Sequence, residues 1–521
     1  MKKKRGLLIS LTILITVVIG ICVGINKRNS NDSLVENYDL DFVLNESSDG
    51  YIVAGLGTCT DANIIIPSKY RNLPVNEIGE NAFYKCETLT SVVIPNSITK
   101  IDYGAFYFCK SLCSIIIPDS VIIMEKYAFG NCGFATIYCE TAIQPSGWHS
   151  DWYHNTGPVY WGINSNNFLI KNEIIYVIID DSAVVSGHTY KIPRIAKILP
   201  TIKINKTSYN VTSIGDRAFG ECTSLFSVNI PDTVTRIGDY AFYDCEILPS
   251  IMIYGNVNYI GFNTFAGCYS LITYCEATSQ PSEWDVYWNF RDRPVYWGIN
   301  VDNYSIQKGI IYVIIDGNAV VTRYTNELES VVKIPLTINI NKRVYNVTKI
   351  GDYAFYDPFN NCSVMNSIEI PNSVTHIGYS AFFGNSLLTS ISITNSVKYI
   401  GAYAFCGCLS LPSIEIPNSI TTFEYCLFQG CVSLSSIKIP TSVTSIDYSA
   451  FDSCISLSSI VIPISVINMS YEIFRSCQSL TVYCEAIAQP SGWDMSWNYD
   501  VDNVYWGEEW SYVDGVPTPN V

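Results

Sequence analysis

Charge is scarce in this chain: 15% of its 521 residues are Asp, Glu, Lys or Arg, and the acids prevail, for a formal net charge of -16. Such a chain lacks the basic surface that nucleic acid demands, so nucleic-acid binding is excluded. Histidine is rarer still, with four residues, His149, His154, His188 and His376. His149 and His154 flank Asp151 at a spacing that could suggest a metal. The matching positions later in the chain hold Asp285 and Phe290, then Asp494 and Tyr499, so the histidines read as surface residues. There is no P-loop, dinucleotide fingerprint or nucleophile elbow. No Cys-x-x-Cys pair offers a zinc site, and no spacing of acids marks a catalytic pair. The reading is therefore of a non-enzyme, with no catalytic residue, metal or cofactor.

What is abundant is repetition. Ile78, Ile101 and Met124 are spaced by 23 residues, as are Ile214, Ile237 and Ile260, and Ile377, Ile400, Phe423, Ile446 and Met469. One further unit, Ile350 to His376, carries four extra residues around Asp357 to Asn361, which makes twelve copies in all. A fixed period of this length means a stacked solenoid. In the copy IGDRAFGECTSLFSVNIPDTVTR, Leu225-x-x-Val228-x-Ile230 reads as a short strand with one buried face. Pro231 stops it, Val234 and Ile237 return to the core, Gly238 turns the chain, and Phe242 and Cys245 of the next copy close the turn. Stacked copies put like residues above one another at roughly 4.8 Å. Ladders of Phe83, Phe106 and Phe129, and of Phe405, Phe428, Phe451 and Phe474, are expected.

The pattern IGxxAFxxCxSLxSIxIPxSVT resembles the BspA-like class of leucine-rich repeats, found in surface proteins of bacteria and some protozoa. The resemblance covers most of residues 38–507. It implies a right-handed solenoid with a parallel β-sheet on its concave face, cell-surface adhesion or protein binding, and no enzymatic activity.

In chain order, MKKKR (1–5) reads as a cytoplasmic basic segment. Residues 6–25 are uncharged and long enough to span a bilayer, so a transmembrane signal-anchor helix is expected. The solenoid would then lie outside a single-pass protein of the cell membrane. The alternative is secretion after signal cleavage. Residues 26–37 read as a linker, and 508–521 as a flexible tail. Between them the solenoid, 38–507, divides into blocks 38–162, 163–298 and 299–507. Each block ends in a module of the type YCETAIQPSGWHSDWYHNTGPVYWG, which recurs at Tyr274 to Gly298 and Tyr483 to Gly507. Trp148, Trp152, Trp284, Trp288, Trp493 and Trp497 of these modules are either an aromatic platform for sugars or cover for exposed core, and cover is favoured. Segments 163–213 and 299–349, each with an IIYVIID run, read as irregular repeats.

Cysteine numbers 19, and eleven of these sit at the repeat position, where the twelfth copy has Asn385. The alternation with Asn favours a buried structural ladder over disulfides.

Strand side chains alternate, so the residue between the last two apolar positions of each strand faces outward. In the third block this row is Glu369, Ser392, Glu415, Lys438 and Val461. The first block has Val93 and Ile116 there, and the second Asn229 and Met252. Solenoids bind on extended surfaces. The third block is therefore expected to hold the site for a protein ligand on another cell or host surface, with Glu369, Ser392, Glu415 and Lys438 in contact. A carbohydrate-binding surface built on the Trp modules and a passive spacer are the alternatives.

Overall fold

Each regular turn makes two short strands and one loop. In the turn of Leu225, the first strand is Ser227–Asn229 and the second Arg236–Ile237. Val228 and Ile237 point inward and are buried, whereas Asn229 is exposed. Pro231 ends the first strand, and its carbonyl accepts from the Val234 amide at 3.1 Å, which closes the bend. The loop after Ile237 bends at two left-handed residues, Tyr240 and Asp244, both at φ 54°. The expectation that Gly238 turns the chain is thus corrected. Gly238 is needed for close approach, because a Cβ there would lie 2.6 Å from the Asp216 amide nitrogen of the preceding turn. The loop also ladders: Phe219 N donates to Ala241 O at 2.8 Å, and Glu221 N to Tyr243 O at 2.7 Å.

The computed structural model describes residues 39–289, 293–358, 364–501 and 503–520. They divide into two units. The first takes the chain to Tyr269 and again Ser279–Arg293; the second takes Ser270–Thr278 and the chain from Pro294 onward. Within each unit the strands pair in parallel from turn to turn. In the first unit one ladder runs through Leu73–Ile78, Lys100–Ile101 and Ile123–Met124, and a separate one joins Ser114–Ile117, Thr136–Cys139 and Val159–Trp161. The second unit repeats this with Ser445–Ile446 and Asn468–Met469 in one ladder, and Ser459–Ile462 and Thr481–Cys484 in the other. Two parallel ladders per turn, broken into short sheets, make up the repeat solenoid that was expected. Pro95, Pro118 and Pro231 stop the first strand of their turns.

The membrane-spanning part of the expected architecture is also corrected. No helix among the described residues is long and apolar enough to cross a membrane. The segment expected to do so, 6–25, lies outside the described residues, as do the basic segment 1–5 and the linker 26–37.

Between the ladders the core is a column of stacked rings. Phe83, Phe106 and Phe129 stand 5.0 and 4.8 Å apart, and Phe405, Phe428, Phe451 and Phe474 stand 5.6, 5.4 and 5.6 Å apart, all stacked and all buried. Beside them, in every regular turn that follows another, the ladder thiol described donates to the Phe carbonyl of the preceding turn. Cys109 reaches Phe83 O at 3.1 Å, Cys245 reaches Phe219 O at 3.2 Å, and Cys454 reaches Phe428 O at 3.2 Å. Asn385 makes the same bond with its amide, Nδ2 to Phe355 O at 2.5 Å. This shared bond explains why Asn and Cys interchange there. Burial pushes the thiols of Cys132 and Cys477 up to about 12. Cys362 lies outside the described residues.

The irregular segments are antiparallel, unlike the turns they join. In the first unit, Phe168–Lys171, Ile174–Ile179 and Ser182–His188 form a three-stranded meander, and Ser182–His188 rejoins the parallel ladder at Thr207–Ile214. The second unit has the same meander in Tyr304–Gln307, Ile310–Ile315 and Asn318–Tyr324. Within the expected flexible tail 508–521, residues 510–519 repeat the first half of the meander: Trp510–Val513 pairs antiparallel with Val516–Pro519. The register places Pro517 and Pro519 where the first unit has Ile175 and Val177. In the meander those amides face the third strand. Proline has no N–H to offer, so this hairpin presents a blocked edge.

Candidate functional site

The outward row of the first ladder behaves differently in the first and third blocks. In the first block it runs through Ile65, Val93, Ile116, Tyr138 and Tyr160, with Ile65 aligned on Val93, Ile116 on Tyr138, and Tyr138 on Tyr160. The meander folds over it. Ile175 and Val177 join Tyr138 in a buried cluster to which Ile116, Tyr160, Phe168 and Ile170 contribute. Phe168 meets Tyr138 edge-on at 5.2 Å, and the Tyr138 hydroxyl shares a 2.9 Å hydrogen bond with Ser186. The apolar residues that the sequence places on this face are therefore interior. The second unit covers Tyr274 in the same way, with Tyr304 edge-on at 5.3 Å and a 2.7 Å bond between the Tyr274 and Thr322 hydroxyls.

In the third block the row stays open until its last turns. Lys333 aligns on Glu369 and Glu369 on Ser392, and Glu415 and Lys438 follow on the next turns. Glu369, Ser392, Glu415 and Lys438 are all exposed. At roughly 4.8 Å per strand they span about 14 Å. Ser390, Ser413 and Ser436 stand exposed beside them, with Ser413 aligned on Ser436. Lys333 Nζ lies 2.9 Å from Glu369 Oε1, and the two side chains are 67% and 59% exposed. Such an exposed pair contributes about 0–1 kcal/mol. It orders the row rather than holding the fold. The row closes at Tyr483, which Trp510 covers with its ring at 5.3 Å while donating Nε1 to Cys484 O at 3.0 Å.

The six tryptophans of the modules occupy a different environment. Trp148, Trp152, Trp284, Trp288, Trp493 and Trp497 are all at most 5% exposed. In each module the first pair meets at 5.0 Å, edge-on. Trp152, Trp288 and Trp497 end the phenylalanine columns at about 6 Å from Phe129, Phe265 and Phe474. Trp148, Trp284 and Trp493 donate Nε1 to the carbonyls of Val121, Val257 and Val466. Buried rings present no face to a sugar, so these residues are core cover and not a platform.

Of the histidines, His149, His154 and His376 are exposed. His188 is not a surface residue. Its ring stacks on Phe219 at 6.3 Å, its Nδ1 lies 2.8 Å from Thr189 O, and its Nε2 lies 3.1 Å from Cys222 Sγ. The Nδ1–H donates to Thr189, leaving Nε2 to accept from the thiol. Burial holds its pKa below the ordinary value. His188 thus stands at the head of a Phe ladder and takes the place of the missing ring and carbonyl. Among the described residues no group of three or more His, Cys, Asp or Glu side chains is placed to hold a metal ion.

Comparison with known proteins gives the following. The family model described as BspA type leucine rich repeat region matches in six copies, over residues 63–148, 197–279, 336–382 and 348–481. No curated protein matches. Among solved structures, a leucine-rich cell surface protein of Faecalibacterium prausnitzii is 23% identical over 91% of this chain and 99% of its own, with a TM-score of 0.34. A leucine-rich repeat protein of Eubacterium ventriosum is 16% identical over 92% and 98%, with a TM-score of 0.38. The pneumococcal vaccine antigen PcpA is 15% identical over 66% and 99%, with a TM-score of 0.37.

Proposed function

The chain belongs to the BspA-type leucine-rich repeat family, and from that premise we propose that it acts at a cell surface by binding another protein, without catalysis. The observation that carries this reading is the open outward row of the third block. Lys333, Glu369, Ser392, Glu415 and Lys438 form a hydrophilic strip of mixed charge on a repetitive scaffold. In the first block the same row is sealed by the protein's own meander, and in the second block Lys197 and Asn229 leave only a shorter stretch exposed. Leaving one stretch uncovered costs nothing in core packing, because the exposed residues are polar. Rim charges of this kind set association rate and register more than raw affinity. The burial of the module tryptophans supports protein over carbohydrate as the ligand.

The test takes a partner recovered from host or neighbouring-cell surface proteins and measures its affinity for the full chain at fixed ionic strength. The double variant Glu415→Lys, Lys438→Glu should weaken binding by tenfold or more while the melting temperature stays unchanged. An unchanged affinity at equal ionic strength would move the site elsewhere on the chain.

A further inference from the structure

The loops of the second unit carry a second surface. Each regular turn there places one tyrosine on the same loop: Tyr353, Tyr379, Tyr403, Tyr425, Tyr448 and Tyr471. Their rings follow one another at 5.4, 5.6, 5.2, 5.6 and 5.3 Å, an unbroken aromatic stripe. At the strand spacing the stripe is roughly 24 Å long. It is half-buried, and Tyr471 is 46% exposed. The neighbouring residues are acidic: Asp352, Glu424 and Asp447 precede their tyrosines, and Asp494 follows on the next turn. Asp352 accepts from the Tyr379 amide at 2.8 Å and Asp447 from the Tyr448 amide at 2.9 Å, so both carboxylates are held at the backbone of the tyrosine loops. Burial, with Asp447 nearby, raises the pKa of Glu424. Arg475, on the loop of Tyr471, is already engaged by Asp452 and Glu472, each at 3.2 Å.

The first unit carries loop aromatics of its own, two of them directly after the core Phe rather than before it, and these have cations beside them. Tyr84, Tyr107 and Tyr127 stack at 6.1 and 5.4 Å. Lys85 lies 5.1 Å over Tyr84 and Lys126 lies 4.7 Å over Tyr127. Arg217 covers Phe134 and Tyr240 at 5.0 and 5.6 Å. Among the described residues, no lysine or arginine lies over Tyr379, Tyr403, Tyr425, Tyr448 or Tyr471. Arg323 donates to Tyr353 O at 2.6 Å at the head of the stripe, and the five rings that follow are flanked by carboxylates with, among the described residues, no cation stacked on them.

We propose that this tyrosine-and-carboxylate stripe docks an extended lysine- or arginine-rich segment of a partner protein, which provides the cations that the first unit provides for itself. Cations are drawn to ring faces and to carboxylates at partly desolvated sites. The net charge of -16 steers a basic partner towards the chain. The stripe lies on the loops and shares no residue with the outward strand row, so it stands or falls independently of that row.

The experiment uses the full chain and a fluorescent ten-residue peptide of alternating arginine and glycine, with glutamine for arginine as control, followed by anisotropy at two salt concentrations. The triple variant Glu424→Gln, Asp447→Asn, Asp494→Asn should weaken the arginine peptide tenfold or more. A second triple variant, Glu46→Gln, Glu283→Gln, Glu327→Gln, removes the same charge from other exposed sites and should change affinity less than twofold. Tyr425→Leu with Tyr448→Leu should also weaken binding, with hydrogen exchange confirming that the turns remain folded. Equal loss in both triple variants would reduce the effect to net charge and overturn the proposal. So would a glutamine peptide that binds as well, tyrosine variants that bind normally, or no binding of the arginine peptide.

Discussion

Phe428→Ala tests the ladder as a physical object. Phe428 is fully buried, with Phe405 at 5.6 Å and Phe451 at 5.4 Å on its two faces and Phe423 edge-on at 5.9 Å. Removing the ring deletes its own transfer energy and leaves a ring-sized cavity between neighbours held by strand pairing. Phe→Ala changes in such sites cost about 3–5 kcal/mol. Three ring contacts are lost as well, each worth about 0.5–1.5 kcal/mol beyond area. Their backbones cannot collapse by more than a fraction of the strand spacing, so the upper half of the range applies. Repeats couple mainly to their neighbours. Hydrogen exchange read by mass spectrometry should therefore show lost protection across the turns from Phe405 to Phe451, fading over a few units, with the first unit unchanged. A uniform loss along the whole chain, or a cost under about 1 kcal/mol, would refute the stacked-column account.

The thiol ladder should make the protein alkali-labile and indifferent to reductant. The folded state raises these thiols from 9.0 to about 12 at Cys132 and Cys477. Their stabilising contribution is complete below pH 9 and lost as the pH climbs through about 12, at up to about 1.4 kcal/mol per pH unit for each thiol. Chemical denaturation between pH 8 and 11 reads this slope, and a flat profile contradicts it. Dithiothreitol should leave the melting temperature unmoved; a large fall would mean disulfides. Replacing Pro517 and Pro519 with valine restores two donors to the hairpin edge, and light scattering should show concentration-dependent association that the wild type lacks. Scattering unchanged from the wild type would mean that the prolines guard nothing.

The repeat was legible because the same physics is written twelve times. Ile237, Phe242 and Cys245 occupy the core positions that periodicity assigns them, and the Asn385 exception identifies the bond its neighbours make. Position in the turn does not say what covers the turn. Val93 and Ile116 read as an apolar outward face, and only the fold brings Phe168 and Ile175 over that row. Lys333 escaped notice because it sits in an irregular segment and the four-residue insertion hides its alignment with Glu369. His188 escaped for a related reason: it precedes Phe219 by 31 residues, not 23, so its place on the ladder cannot be counted out. Its one local signal was an apolar strand leading into the first regular turn. The Trp modules were ambiguous in sequence because a ring that covers a core and a ring that binds a sugar have the same composition. Burial distinguishes them.

Photo-crosslinking on the outward row tests the central claim most directly. A benzophenone amino acid placed at Ser392, in the middle of the open strip, should give one saturable adduct with a protein ligand. Glu415→Lys with Lys438→Glu should abolish that adduct. The same group at Val286, which is 78% exposed in a Trp module, should give none. Adducts at Val286 alone, or equal adducts at both sites that survive charge reversal, would contradict the assignment of binding to the third-block row.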